Sequence, residues 1–212
     1  RLEHNQKGVL YIPKIVKLLA RENIEFELSI VGKGRDEAEL KKKLRPFIEK
    51  EVHFCGMLNR NEVITRLQQS DIYIFLSHFE GCPNSLLEAM VSGCIPVSWL
   101  IPGITDFIIE DKHTGFLSEL KDYKHLVNSI KFLNENRELL TSMKHDIQFS
   151  SQMRFATAEC VKKYVEVFEN CEANKGSFNK YTVQSIENFQ PMPVFKPSLL
   201  KRAKTKLIKW KL

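Results

Sequence analysis

The chain has 212 residues, 43% of them hydrophobic, which suffices for one cored domain with a tail or for two small domains. No run approaches the ~20 consecutive apolar residues that a membrane-spanning helix needs. The net charge of +6 is uneven: residues 171–212 hold nine Lys/Arg against two acids, a net +7, so the rest is near neutral and the basic character says nothing about the globular part.

Five cysteines, at 55, 82, 94, 160 and 171, form no C-x-x-C pair, and the six histidines show no metal-ligand spacing. This reads as reduced thiols, with neither a zinc site nor a disulfide framework. The first residue is Arg and no signal-peptide pattern follows, so the chain is expected to begin inside a longer protein.

In chain order, Val9 to Glu22 has helical periodicity, and Phe26 to Val31 reads as a strand ending in Gly32-Lys33-Gly34. Asp36 to Lys50 is a charged amphipathic helix that Pro46 should kink or break. Val52 to Cys55 is a strand, and Asn61 to Gln69 a helix capped by Asn59 or Asn61. Asp71 to Leu76 is almost continuously apolar, as a parallel strand buried on both faces should be. Pro83 to Val91 is a helix and Ile95 to Trp99 a strand. A short helix over Thr105 to Glu110 and a short strand over Gly115 to Leu117 follow. Helices are then expected over Asp122 to Leu133, Asn136 to Asp146 and Met153 to Glu169. This alternation predicts a doubly wound parallel α/β sheet over residues 1–170, with ligands beyond the strand C-termini. Gly34, Gly56, His78 to Gly81 and Gly103 all fall on that edge.

The most informative stretch runs from Phe79 to Val97. Glu80 and Glu88 lie eight positions apart across a loop that enters a helix, with Gly81 and Pro83 before it. Such a junction presents free backbone N–H groups and a positive dipole end, which suits a phosphate. Glu80 on the loop can reach hydroxyls beyond the phosphate, and Glu88, just over one turn into the helix, can reach a second polyol. A diphosphate flanked by two carboxylates for sugars fits a nucleotide-sugar.

This stretch resembles the E-x7-E signature of retaining glycosyltransferases with the two-domain GT-B fold, in particular their group 1, or family 4, class. Arg1-Leu2 with Lys7-Gly8 resembles that family's R-x5-K-G segment, Ile30 to Gly34 its strand ending in G-x-G, and Phe54-Cys55-Gly56 its F-x-G strand end. Ser70 to Ser77 resembles the small-D-hydrophobic strand before the signature, and Gly103 to Gly115-Phe116-Leu117 the stretch after it. Ordered matches at sensible spacing carry more weight than the glutamate pair alone.

The resemblance implies the donor-binding, C-terminal half of an enzyme that moves a hexose from a nucleoside diphosphate sugar to an acceptor hydroxyl, keeping the anomeric configuration. A preceding acceptor-binding domain would pack across the cleft. Arg1 and Lys7 would neutralise the donor diphosphate, which gains charge as it leaves, so that no metal and no cofactor is required. Glu80 would hydrogen-bond donor-sugar hydroxyls and support oxocarbenium-like charge. Gly81 would let backbone approach the ligand, amides of Asn84, Ser85 and Leu86 would hold the diphosphate, and Glu88 would grip the ribose. The family often carries Gly or aliphatic residues where this chain has Cys82, Asn84 and Ser85, which leaves sugar selectivity open. Met57 and Leu58, just past a strand end, either flank a nucleobase or pack locally. A dinucleotide reading of Gly32-x-Gly34 fails because the third glycine position is Glu37, whose side chain obstructs close helix–strand packing.

Residues 198–212 place Leu199, Ala203, Leu207 and Trp210 on one helical stripe among lysines, the pattern of a helix lying in an anionic membrane surface. A disordered basic tail, or a helix packed on another domain, would read the same way. Trp210 is the one aromatic platform there, so nucleic acid is not the expected partner. The expectation is a cytoplasmic enzyme, peripheral on a membrane through 196–212, serving cell-surface polysaccharide or glycolipid synthesis. Its rivals are a sugar-nucleotide epimerase of GT-B architecture and a non-catalytic nucleotide-binding partner domain.

Overall fold

The computed structural model describes residues 1–173. Arg1–Lys163 form one compact unit, and a second begins at Tyr164. The tail stripe through Leu199, Ala203, Leu207 and Trp210 lies outside the described residues. Among the described residues no helix is long and apolar enough to cross a membrane.

Five strands carry the unit: β1 (Leu28–Val31), β2 (Val52–Gly56), β3 (Ile72–Phe75), β4 (Ile95–Trp99) and β5 (Phe116–Ser118). All pairings are parallel, which demands a crossover between partners. Helices supply them: α3 (Glu37–Leu44) between β1 and β2, α4 (Arg60–Gln68) before β3, α5 (Asn84–Val91) before β4 and α6 (Thr105–Ile108) before β5. The remaining helices are α1 (His4–Lys7), α2 (Ile12–Arg21), α7 (Tyr123–Glu135), α8 (Arg137–Arg154) and α9 (Thr157–Ala173). This is the expected α/β class, but the strands form two sheets, β1-β2 and β3-β4-β5.

Residues 1–8 join the two sheets at their C-terminal ends. The Leu2 N–H donates to Lys33 O past β1 (3.0 Å), and the His78 N–H past β3 donates to Gln6 O (2.8 Å). Two glycines permit this seating. A Cβ on Gly34 would lie 2.2 Å from Leu2 O, and one on Gly8 2.1 Å from Leu76 O; Gly8 also has φ +63°. The second glycine of G-x-G therefore serves chain crossing.

Each sheet has its own core. Val16, Ile30, Leu40, Leu44 and Val52 are buried around β1-β2. Trp99, Leu86, Met90, Leu126, Leu133 and Ile147 are buried around β3-β4-β5. α2 faces both, because its consecutive residues Ile15 and Val16 enter different cores. Complete burial falls on β4, flanked on both sides, rather than on β3, which is mostly half-buried.

Local signals explain most boundaries. Asn59 caps α4 in a capping box with Glu62. Pro46 ends α3 and passes the chain into a 3-10 turn over Arg45–Phe47. Two expected boundaries move. α8 continues to Arg154 because Leu140, Met143, Ile147 and Ser151 keep one buried face, and α9 starts at Thr157 rather than at Met153.

Candidate active site

The site lies beyond the C-terminal ends of β1, β2 and β3. From β3 the chain leaves through Leu76 and Ser77 into the loop 78–83 and then enters α5. Opposite that loop stands α1, only four residues long and without a side-chain cap, too short to persist alone. It is held from outside: the His4 N–H donates to an Asp36 carboxylate oxygen (2.7 Å), and Gly8 closes its C-terminus in the left-handed conformation.

This seating brings Lys7 onto Glu80. Lys7 Nζ is 2.6 Å from Glu80 Oε1, and Gln6 Nε2 reaches Glu80 Oε2 at 3.5 Å. The Glu80 side chain is only 6% exposed, and the Lys7 ammonium lies directly against it. Two residues predicted to work at a diphosphate and at a sugar are thus in direct contact, across 73 positions of sequence.

The other predicted residues divide. Gly81 faces open space, so the fold itself does not demand a glycine there. The Asn84 N–H donates to Cys82 O (2.9 Å) and the Leu86 N–H to Pro83 O (2.9 Å), which leaves the Ser85 N–H as the unengaged donor of the three amides among the described residues. Pro83 occupies the cap position of α5 and provides no side-chain cap. Glu88 is exposed on α5. Met57 follows β2 and is 70% exposed, available to a ligand rather than buried in the core. Arg1 turns to Glu3 (3.2 Å) with its side chain 67% exposed. Glu3 also holds Arg35 (3.1 Å), so this carboxylate gathers two cations at the rim.

Two residues, Tyr73 and His4, escaped the sequence reading, and His78 was placed on the ligand edge without a role. Tyr73 lies beneath the start of α5; burial pushes its phenol up, Ser85 opposes this, and the Glu88 and Glu80 charges push it up further. His78 ties α1 to the loop through Asn5, Gln6 and Tyr11. His4 accepts from the Leu10 N–H at Nδ1 (3.3 Å), and burial, then the neighbouring His78, holds it below its ordinary value. Sequence spacing could not reveal the roles of His4 and His78, since both depend on α1 docking against the loop after β3. Tyr73 was visible only as a polar atom inside an apolar strand run.

A parallel α/β unit with an ion pair and an open loop-to-helix junction at its strand C-termini has the layout of ligand-binding α/β domains. Residues 1–148 match the family described as glycosyl transferases group 1, and the chain belongs to that family. An uncharacterized glycosyltransferase of Haemophilus influenzae is 32% identical over 148 residues, 69% of this chain and 41% of that protein. The Escherichia coli UDP-Gal:alpha-D-GlcNAc-diphosphoundecaprenol alpha-1,3-galactosyltransferase is 26% identical over 136 residues, 63% of this chain and 35% of that protein. The structure of Anabaena HepE in complex with UDP and glucose superposes with a TM-score of 0.67 at 19% identity, covering 80% of this chain and 46% of that one, and so shares the fold. The chain spans less than half the length of these proteins.

Proposed function

We propose that this chain is the donor half of a retaining hexosyltransferase that uses a nucleoside diphosphate sugar, with UDP as the favoured nucleotide. The reading is carried by one observation: in a member of the group 1 glycosyl transferases, Lys7 and buried Glu80 meet beside the open start of α5. The E. coli relative named for UDP-Gal and the neighbour holding UDP and glucose support the choice of donor.

In the reaction, the bond from the anomeric carbon to the diphosphate oxygen breaks and the nucleoside diphosphate leaves with the electron pair. The acceptor oxygen bonds to the anomeric carbon on the face the diphosphate left and gives up its proton to an oxygen of the leaving diphosphate. Lys7 and Arg1 offset charge growing on the leaving diphosphate, with Arg1 turning away from Glu3. Glu80 orients sugar hydroxyls and stabilises positive charge on the ring. The Ser85 N–H meets the diphosphate, Glu88 binds the ribose, and Met57 lies against the base. The acceptor reaches the site from a second domain across the cleft, and no metal is needed. The protein works on the cytoplasmic face of a membrane, with 196–212 against anionic lipid.

Titration calorimetry on the intact protein with UDP-, GDP- and ADP-hexoses, in the presence of EDTA, tests the donor site. The expected result is metal-independent binding of one nucleotide class, weakened for nucleotide and nucleotide-sugar alike by Glu88→Ala. No binding of any of them would refute the reading. For the membrane role, binding to liposomes should require anionic lipid, fall with added salt and vanish on removal of 196–212. Equal binding to neutral liposomes would count against it.

A further inference from the structure

We infer that His78 is a positioning residue: it clasps α1 to the loop after β3 and thereby fixes the Lys7 ammonium against Glu80. The role Lys7 then plays toward a diphosphate rests on the donor-site reading above.

Three bonds from one residue converge on the segment that carries Lys7. The backbone N–H of His78 donates to Gln6 O at 2.8 Å. Its Nδ1 is 2.9 Å from Asn5 O, and its Nε2 is 2.8 Å from the Tyr11 hydroxyl. A backbone carbonyl can only accept, so Nδ1 carries the proton. In the neutral ring Nε2 then accepts from the Tyr11 hydroxyl. Both nitrogens are engaged, and their partners lie on either side of Lys7 in sequence.

The far anchor is firm. Tyr11 stands edge-on to Trp99 (6.1 Å) and Tyr123 (5.9 Å), and Trp99 is completely buried. His78 packs edge-on against His4 (5.4 Å) and Tyr11 (5.3 Å). The near end is weak by itself: α1 has four residues and Lys7 a long flexible stem. His78 is two residues ahead of Glu80, so one short segment both grips the backbone under Lys7 and presents the carboxylate its ammonium meets. Among the described residues the other bonds from α1 to this loop are those of Gln6 and Lys7 to Glu80 itself, so the register of the pair depends on this clasp.

The test uses the intact protein and two readouts. The first is the acylation rate of Lys7 by an amine-reactive ester, followed by mass spectrometry without ligand. His78→Ala should raise that rate severalfold, as Glu80→Gln does by removing the partner charge. His78→Asn, which keeps a donor near the Nδ1 position, should restore most of the protection, and Tyr11→Phe should fall between. The second is the dissociation constant for UDP. His78→Ala should raise it about tenfold, the scale of losing a hydrogen bond or two, and should add nothing in a Lys7→Ala background. Unchanged Lys7 acylation in His78→Ala, when Glu80→Gln accelerates it, would overturn the proposal even if no nucleotide binds. UDP losses that add fully to those of Lys7→Ala would also overturn it, since that marks a general structural role. Failure of the wild type to bind any nucleotide would instead sink the donor-site reading, and the acylation result would still decide the clasp.

Discussion

One strand, β3, carries an ion cluster at each end, and the two are built differently. At its N-terminal end Asp71 is gripped twice from α8, by Lys144 Nζ at 2.8 Å and Arg137 Nη2 at 3.1 Å, and Lys144 also donates to Ser70 O at 3.0 Å. Burial alone would raise the Asp71 carboxyl, but the bonds from Lys144 and then Arg137 outweigh it and hold it below its ordinary value. Every strong group there is spent on another, and the result is a staple between strand and helix. At the C-terminal end Glu80 is more deeply buried yet has a single cation, and around it remain the Ser85 N–H, the open face of Gly81 and exposed Glu88. A cluster that closes on itself holds a fold; one that leaves donors and charge unanswered is equipped for a ligand.

The sharpest way to break this contrast is to remove one carboxylate from each end. Glu80→Ala should cut sugar transfer by the intact protein about 10²–10³-fold, the scale of losing one preorganised charged contact at the reacting centre. Binding of bare UDP should persist, because His78 still seats the segment that carries Lys7. Parallel kinetics and calorimetry check both halves, and equal losses in turnover and UDP affinity would contradict the division of roles.

Next in size is Gly8→Ala, which tests whether the site end depends on the docking of α1. The added Cβ would sit 2.1 Å from Leu76 O at a left-handed φ, so the turn must shift. A loss of at least about 2 kcal/mol in denaturant unfolding is expected, together with faster Lys7 acylation.

Asp71→Asn should lower stability by about 1 kcal/mol, the upper end for half-exposed ion pairs, while UDP affinity stays unchanged. The Asp71 carboxyl is depressed in the folded state, so its contribution is present above the ordinary 3.8 and is lost as pH falls through the folded value. The variant should therefore show a flatter acid limb in that low window.

The smallest effect concerns His4 at the site end. The folded protein keeps this ring neutral to lower pH than the unfolded chain does, so unfolding takes up a proton just below the ordinary 6.5. Melting temperature should decline slightly as pH drops from 6.5 toward the folded value, and His4→Gln should remove that slope without touching the Asp71 window.

Much of this contrast was legible in the residues. Asp71 opened an apolar run, Asn59 announced α4, and the Glu80 and Glu88 spacing across a glycine-proline loop marked a candidate site beyond the strand ends. What stayed hidden depends on contacts far apart in sequence. α1 is too short for periodicity and exists because Asp36 bonds its first N–H and His78 bonds its Asn5 and Gln6 carbonyls. The Lys7–Glu80 and His78–Tyr11 pairings span 73 and 67 positions, beyond any local signal. The extension of α8 past Asp146 was masked by polar residues on its outer face, although Ile147 and Ser151 kept the inner face intact. Of the three amides expected to be free at the start of α5, two are consumed by the tight turn that Pro83 imposes, a matter of backbone angles that residue types alone do not dictate.

Ile15 and Val16 are neighbours on α2 yet belong to separate cores. A helix placed this way is a party wall: neither sheet can melt without exposing one of its faces. The two sheets, though they share no ladder, should therefore lose their slowest-exchanging amides together, and a single large-to-small change at either position should loosen protons in both.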